Sequence, residues 1–169
     1  MSNKVRIASR VLKDLFGQYS IPFSIRESLH SNNLIVTVIV DSSKFHMLGP
    51  NYDSNYWEFL ESNIEDEIIN ALELVGIEDD LGEIIYKHEN YKFMDDKISE
   101  LKGILTERLR KITNGRASNI EILGPYLQDF RPELVYPLKF PKGLDQNQKN
   151  LLYKSIPSIY DDINFHARS

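Results

Sequence analysis

One apolar run constrains the fold of this chain more than any other feature of its sequence. Residues 34–40 read Leu-Ile-Val-Thr-Val-Ile-Val, and Ser and Asn residues precede them. β-Branched side chains favour strands, and a run that is apolar at successive positions is typical of a strand covered on both faces. We therefore expect a central strand at 34–40, joined by a turn at 30–33 to a hairpin partner at 23–29.

Apolar residues at helical spacing predict the helices of the chain. Residues 5–16 form an amphipathic pattern, with apolar side chains on one arc and basic side chains on the other. The same periodicity places two central helices at 56–75 and 95–113, and glycines follow both segments closely. A shorter helix is expected at 145–153, and residues 164–169 are expected to form a tail.

Proline punctuates the segment 116–143. Two short stretches, 120–123 and 134–136, have the composition of strands. The segment also contains four prolines: Pro125, Pro132, Pro137 and Pro141. Because proline has no backbone N–H to donate to a neighbouring strand, we expect any strands here to be sheet edges or simple extended packing.

These elements predict an α+β fold. Its simplest form is a small antiparallel or mixed sheet with an N-terminal helix, two central helices and a C-terminal helix. The length of the chain suits one domain. We expect that domain to span 1–143, with 116–143 as its proline-rich extended segment. Residues 144–169 are then a C-terminal helix and tail that pack on the domain or extend from it.

Charge is divided unevenly along the chain. Residues 45–86 contain no Lys or Arg but hold eleven acids, whereas the rest of the chain holds all 20 basic residues and 14 of the 25 acids. Such segregation favours a basic partner, or the stacking of copies of the chain through complementary faces. The alternative is that the acids form the solvated outer face of the helix predicted at 56–75.

Most chemical motifs are absent from the sequence. There is no cysteine, which excludes disulfides, thiolate catalysis and cysteine-ligated zinc, and there is no glycine-rich phosphate loop. The four histidines are far apart in the sequence: His30, His46, His88 and His166. No two have the close spacing of a metal-ligand pair, so we expect histidines on the surface or in turns, no metal site and no cofactor.

One enzymatic alternative stays open. Metal-dependent nucleases hold magnesium with acids at strand ends, next to a lysine that stabilises negative charge. Asp41 ends the predicted central strand, and Glu83 and Lys87 lie on one face of a short strand further along. A metal-dependent nuclease would require these three side chains to converge in a cleft.

The absence of a chemical motif, together with the segregated charge, favours a non-enzymatic function. We expect a protein-interaction or assembly subunit that associates through an acidic face, such as a structural component of a phage tail or neck. An immunity protein or antitoxin that binds a basic toxin is the alternative within the same class. The expected partner is therefore another protein or further copies of the chain in an oligomer or larger complex.

The residues expected to bind the partner are acids, neighbouring aromatic residues and the basic face of the first helix. They are Glu58, Glu61, Glu65, Asp66, Trp57, Tyr56, Arg6, Arg10 and Lys13. Trp and Tyr are enriched where interfaces bind most strongly. Three basic side chains alone give weak, salt-sensitive contact with phosphate, so nucleic acid is not the expected partner. No apolar run is long enough to span a membrane, and we expect a cytoplasmic protein or a part of a virion.

Overall fold

The computed structural model describes residues 2–127 and 131–168, and it has the α+β class that the sequence predicts. Residues 128–130 of the proline-rich segment and residue 169 of the expected tail lie outside the described residues. The buried residues form two apolar clusters, one built from residues 5–86 and the other from residues 94–163. We refer to 2–89 as the first half and to 91–168 as the second half.

The first half is built on a three-stranded sheet. Helix α1 (Asn3–Gly17) begins at Ser2, whose hydroxyl accepts a hydrogen bond from the N–H of Val5 at 3.2 Å. Strands β1 (Phe23–Glu27) and β2 (Leu34–Asp41) form the predicted antiparallel hairpin. Strand β3 (Leu81–Glu89) then pairs parallel with β2, which makes β2 the central strand.

The pairing of β2 and β3 contains a bulge at Gly82. Leu34 is opposite Leu81 and Ile35 is opposite Glu83, so Gly82 has no residue facing it. A side chain at this position would place its Cβ 2.8 Å from the Cβ of Asn33, which is closer than real contacts allow. Glycine therefore permits the close approach of the strands at the bulge.

The helix predicted at 56–75 is interrupted. After the short helix α2 (Ser42–Phe45), the chain forms helix α3 (Ser54–Glu58), a π-helical turn (Phe59–Asn63) and helix α4 (Ile64–Glu73). A 3₁₀ turn (Glu78–Asp80) then leads into β3. The three helical pieces follow one another without a loop, so the prediction gave the position of the helix but not its π turn.

Helices α1 and α4 cover one face of the first sheet. Val36, Val38 and Val40 on β2 are fully buried, which confirms the predicted buried face of the central strand. They belong to the same cluster as Leu12 of α1 and Ile68 of α4. On the other face of β2, Ile35 is buried but Thr37 and Ile39 are only half-buried.

The second half contains a long helix, a second sheet and a shorter helix. Its elements are α5 (Met94–Ile112), β4 (Glu121–Ile122), β5 (Tyr126–Leu127), β6 (Leu134–Lys139), α6 (Gln146–Lys154), a 3₁₀ turn (Ser158–Tyr160) and β7 (Asn164–Arg168). Strand β6 pairs antiparallel with β4 and β5 and parallel with β7. The described part of the chain thus forms two small sheets rather than the single one expected.

Two expectations for the second half were wrong. Strand β6 is the hub of its sheet although it contains Pro137, whereas proline-containing strands were expected at edges. The Pro137 carbonyl accepts a hydrogen bond from the N–H of Leu123 at 2.9 Å, and on that edge Pro137 falls between the residues paired with β4 and with β5. The strand tolerates proline because its missing N–H therefore leaves no paired residue of β4 or β5 without a donor. Residues 164–168 form β7 rather than a tail, since pairing with β6 orders them.

The second core joins α5 to its sheet. Leu101, Leu105 and Leu109 form the buried stripe of α5 and contact Leu138 of β6 and Leu152 of α6 within one cluster. The domain boundary predicted at residue 143 stays a prediction. Among the described residues, no helix has the length and apolar character needed to cross a membrane.

Candidate functional site

A groove lined by carboxylates runs between α4 and the edge of β3 that faces away from β2. One part is a cavity of about 380 Å³ bordered by Glu65 and Ile69 of α4 and by Glu83 and Ile84 of β3. The second part, of about 460 Å³, shares Glu65 and continues towards the second half. The carboxylates along both parts are Glu61, Glu65, Asp66, Glu78, Asp79, Glu83 and Glu133. We call this feature the acidic groove.

The sequence places these acids by simple periodicity. Ile64, Ile68 and Leu72 turn the apolar face of α4 towards the first core, and all three are buried. Glu65 and Ile69, four residues apart, therefore lie together on the flank of α4 next to β3. The predicted residues Glu65 and Asp66 are exposed at the groove, whereas Glu61 is half-buried.

Glu61 and Glu133 form a carboxyl pair between the two halves. Burial is the largest cause that raises the pKa of Glu61 to about 8; the hydrogen bond and charge of Glu133 contribute to this rise, and Arg131 opposes it. Glu61 therefore keeps its proton near neutral pH. Residue Glu133 comes from the segment before β6, which the charge pattern of residues 45–86 could not reveal.

Tyr86 lies against the same acids from β3. Burial, with smaller contributions from the charges of Glu65, Glu61 and Glu133, raises the pKa of its hydroxyl to about 12. The phenol therefore stays neutral. Three acids of the groove thus lie close enough to act on the Tyr86 hydroxyl.

Few of these charges are neutralised within the protein. No salt bridge within residues 2–127 and 131–168 involves Glu65, Asp66, Glu78, Asp79 or Glu83. In that part of the chain, Arg131 is the one basic side chain that lines the groove. One oxygen of Glu78 is also buried without a hydrogen-bond partner. The groove thus carries excess negative charge that the fold itself does not use.

The other predicted partner-binding residues are scattered. Arg6, Arg10 and Lys13 are exposed on α1. Helix α1 packs against α4, and a 3.5 Å ion pair between Lys4 and Asp80 joins its start to the 3₁₀ turn before β3. The basic helix α1 therefore lies beside α4, the helix that borders the acidic groove.

The two aromatic residues expected to contact a partner have different positions. Trp57 is 37% exposed and has the exposed Glu58 beside it in sequence. Tyr56 is only 3% exposed, and its hydroxyl accepts a hydrogen bond from the N–H of Asp41 at 2.9 Å. Its role is to fasten α3 to the end of β2, so its side chain does not offer a surface to a partner.

The three residues of the nuclease hypothesis do not converge. Asp41 is opposite Glu89 on β3, whereas Glu83 is opposite Ile35. Six residues of strand, roughly 20 Å, therefore separate Asp41 from Glu83 along the sheet. The Asp41 carboxylate instead begins α2, because it accepts hydrogen bonds from the N–H and hydroxyl of Ser43.

A second polar cluster, which the sequence did not reveal, lies between the two halves. The Nδ1 atom of His46 is 3.1 Å from a carboxylate oxygen of Asp162, and the same oxygen accepts the N–H of Met47 at 2.6 Å. His46 is fully buried, and the side chain of Asp162 is 5% exposed. The expectation of surface histidines was wrong for His46, because a partner 116 residues away compensates its burial.

His88 completes this cluster, which we call the histidine site. Its Nδ1 atom is 3.0 Å from the buried hydroxyl of Ser42. Burial, with a smaller contribution from the nearby His46, lowers the pKa of His88 to about 4, so His88 is neutral near pH 7. The Nε2 atoms of His46 and His88 are both buried without a hydrogen-bond partner.

Neither cluster resembles a metal centre. Within residues 2–127 and 131–168, no three His, Asp or Glu side chains are arranged to hold a metal ion. Comparisons of the chain with family models, curated proteins and solved structures found no match. The local chemistry of the acidic groove and the histidine site is therefore the basis for inferring a function.

Proposed function

We propose that the protein is a non-catalytic association subunit that binds a basic surface of a partner protein in its acidic groove. The observation that carries the proposal is the concentration of seven acidic side chains along one groove with a single basic residue among its described lining residues. Carboxylates held this close repel one another, and a basic surface docked against them would relieve the repulsion.

The energetics of the groove support binding rather than folding. Glu61 keeps its proton because burial and the neighbouring Glu133 both oppose a further negative charge. An approaching Lys or Arg side chain would supply the positive charge that the groove lacks. Exposed charges are screened over about 8 Å at physiological ionic strength, so complex formation should weaken as salt is added.

The nuclease alternative has no comparable support. Asp41 is engaged in beginning α2, and it lies far along the sheet from Glu83. An immunity protein or antitoxin is a special case of the proposal in which the partner is a basic toxin. Assembly of copies is another special case, in which the exposed residues Arg6, Arg10 and Lys13 supply the basic surface.

Charge reversal at the groove tests the proposal. Glu65, Asp66 and Glu83 are exposed and line the groove, so all three can be changed to Lys without disturbing the core. We expect the triple variant to lose complexes that the wild type retains from its native source at low salt. Light scattering of the purified variant reports self-association in the same way.

A matched triple variant separates the groove from net charge. Asp14, Glu67 and Glu73 are exposed but do not line the groove, and changing them to Lys alters net charge by the same amount. The proposal requires this control to behave as the wild type. Equal loss in both variants, or no loss in the groove variant, would show that the acids are only a solvated face.

A further inference from the structure

We propose that the occupant of the acidic groove is an extended basic segment of the partner, which adds as a strand to the outer edge of β3. This inference rests on the proposed function and names the mode of binding. It follows from the backbone of β3 and the apolar floor of the groove, rather than from charge alone.

The first argument is the unpaired edge of β3. Within residues 2–127 and 131–168, β3 pairs with β2 and with no other strand. Gly82 is bulged, and the end of β3 faces the second half, where Lys87 and His88 border a cavity together with Pro125 and Leu134. Residues 83–86 therefore form an accessible edge of roughly 13 Å. Peptide groups along such an edge are a template for an added strand.

The second argument is the apolar floor beside this edge. Ile69 of α4 and Leu81 and Ile84 of β3 line the groove, and each is only half-buried. Alternate side chains of an added strand point to opposite faces. One set would cover these three apolar residues, and the other would meet the carboxylates. The groove thus offers both requirements of strand addition, a hydrogen-bonding edge and a surface for alternate side chains.

The third argument identifies the occupant by charge. A second copy of β3 would bring another Glu83 and another negative groove against this edge, and like charges across paired strands are destabilising. Acidic side chains at an edge therefore oppose pairing between copies of β3. A segment that alternates Lys or Arg with apolar residues fits the edge, the floor and the potential together.

Binding of a synthetic peptide tests strand addition without perturbing the fold. The probe is a peptide of alternating Lys and Val, labelled for fluorescence anisotropy and titrated at low salt. Two further peptides carry backbone N-methyl groups, one on every Val and the other on every Lys. Successive N–H groups of a strand point to opposite edges, so each peptide loses the donors of one edge and keeps its charge.

The expected result is saturable binding of the parent peptide and at least tenfold weaker binding of one methylated peptide, because several hydrogen bonds are lost together. The other methylated peptide should bind within about threefold of the parent. Hydrogen exchange at residues 83–86 should slow when the parent peptide binds. Equal affinity of all three peptides, or no saturable binding of the parent, would overturn strand addition.

A pair of single variants ties the peptide to the groove. Glu83→Lys should weaken the parent peptide at least fivefold, whereas Glu73→Lys, outside the groove, should leave its affinity unchanged. If the groove triple variant loses its native complexes while all three peptides bind alike, the proposed function survives and strand addition fails. If the triple variant keeps its complexes, the proposed function itself fails.

Discussion

Two polar contacts between the halves, both among the described residues, are built in opposite ways. At the histidine site, His46 is paired with Asp162, and both side chains are almost fully removed from solvent. At the carboxyl pair, the two acids Glu61 and Glu133 border an open cavity, and Glu61 keeps its proton near neutral pH. The first contact joins a donor to an acceptor, whereas the second brings together groups that repel when ionised.

This difference separates a contact that stabilises the fold from one that suits a partner. A buried hydrogen-bonded pair holds two segments in register, and loss of one partner leaves an uncompensated group in the core. A like-charged pair at the wall of a cavity contributes little to the fold, but it is relieved by any cation that enters. The histidine site should therefore govern stability, and the acidic groove should govern binding.

The largest effect is expected at Asp162. Asp162→Ala removes the partner of the buried His46 and of the Met47 N–H, and we expect it to cost about 3 to 5 kcal/mol of unfolding free energy. Urea denaturation at pH 7 measures the loss. The matched change Asp161→Ala affects an exposed neighbour and should cost less than about 0.5 kcal/mol. If the two variants lost similar amounts of unfolding free energy, the histidine site would not stabilise the fold in the way proposed.

A slightly smaller effect is expected from acidification at His88. Its folded pKa of about 4 lies below the ordinary value of 6.5, so the unfolded chain binds the proton first. Stability is therefore fully present above pH 6.5 and falls as the pH decreases towards 4, by about 3 kcal/mol. His88→Gln should lack this component. The unfolding free energies of wild type and variant, measured by denaturation from pH 7 to pH 4, should therefore come closer together as the pH falls.

The carboxyl pair should respond to pH in the opposite direction. The folded pKa of Glu61 is raised to about 8, so its contribution is present below pH 4.5 and is lost as the pH rises through 8. Solvent screening in the open cavity reduces the effect to about 1 kcal/mol. Glu61→Gln should flatten the loss of stability between pH 4.5 and 8, whereas Glu58→Gln, at an exposed position, should not. An equal or steeper loss in Glu61→Gln would contradict the raised pKa of Glu61.

The smallest effect on stability is expected where the effect on binding is largest. Reversal of Glu65, Asp66 and Glu83 to Lys should change the unfolding free energy by less than about 0.5 kcal/mol, because no salt bridge of the described residues involves them. Thermal unfolding alongside the association assay checks both quantities. A large destabilisation would mean that the groove acids serve the fold after all.

Local patterns in the sequence predicted the elements whose neighbours are close in the chain. The β-branched run of β2 and the turn before it were enough to place the hairpin with β1. The acidic segment likewise predicted Glu65 and Asp66 at an exposed surface. These features depend on periodicity and turn chemistry, which act over a few residues.

Contacts between distant segments could not be predicted in this way. The pairing of β7 with β6, the partnership of Glu61 with Glu133 and the contact of His46 with Asp162 each join segments separated by a long stretch of chain. Tertiary packing decides which polar residues are buried together, and no spacing rule encodes it. Pro137 shows the same limit, because its effect on β6 depends on which of its backbone groups faces a neighbour.

The π turn at Phe59–Asn63 determines which way the helical residues before it, including Glu61 of the acidic groove, face relative to α4. Buried residues recur every four positions through α3, the π turn and α4: Tyr56, Leu60, Ile64, Ile68 and Leu72. In a regular α-helix that repeat would drift around the axis by about 40° at each step, and the ends of the row would face nearly opposite directions. A π turn contains more residues per turn and takes up part of this drift. Deleting Ser62 would restore an α-helical turn and rotate everything before it by about 100°, which would carry Glu61 away from Glu133.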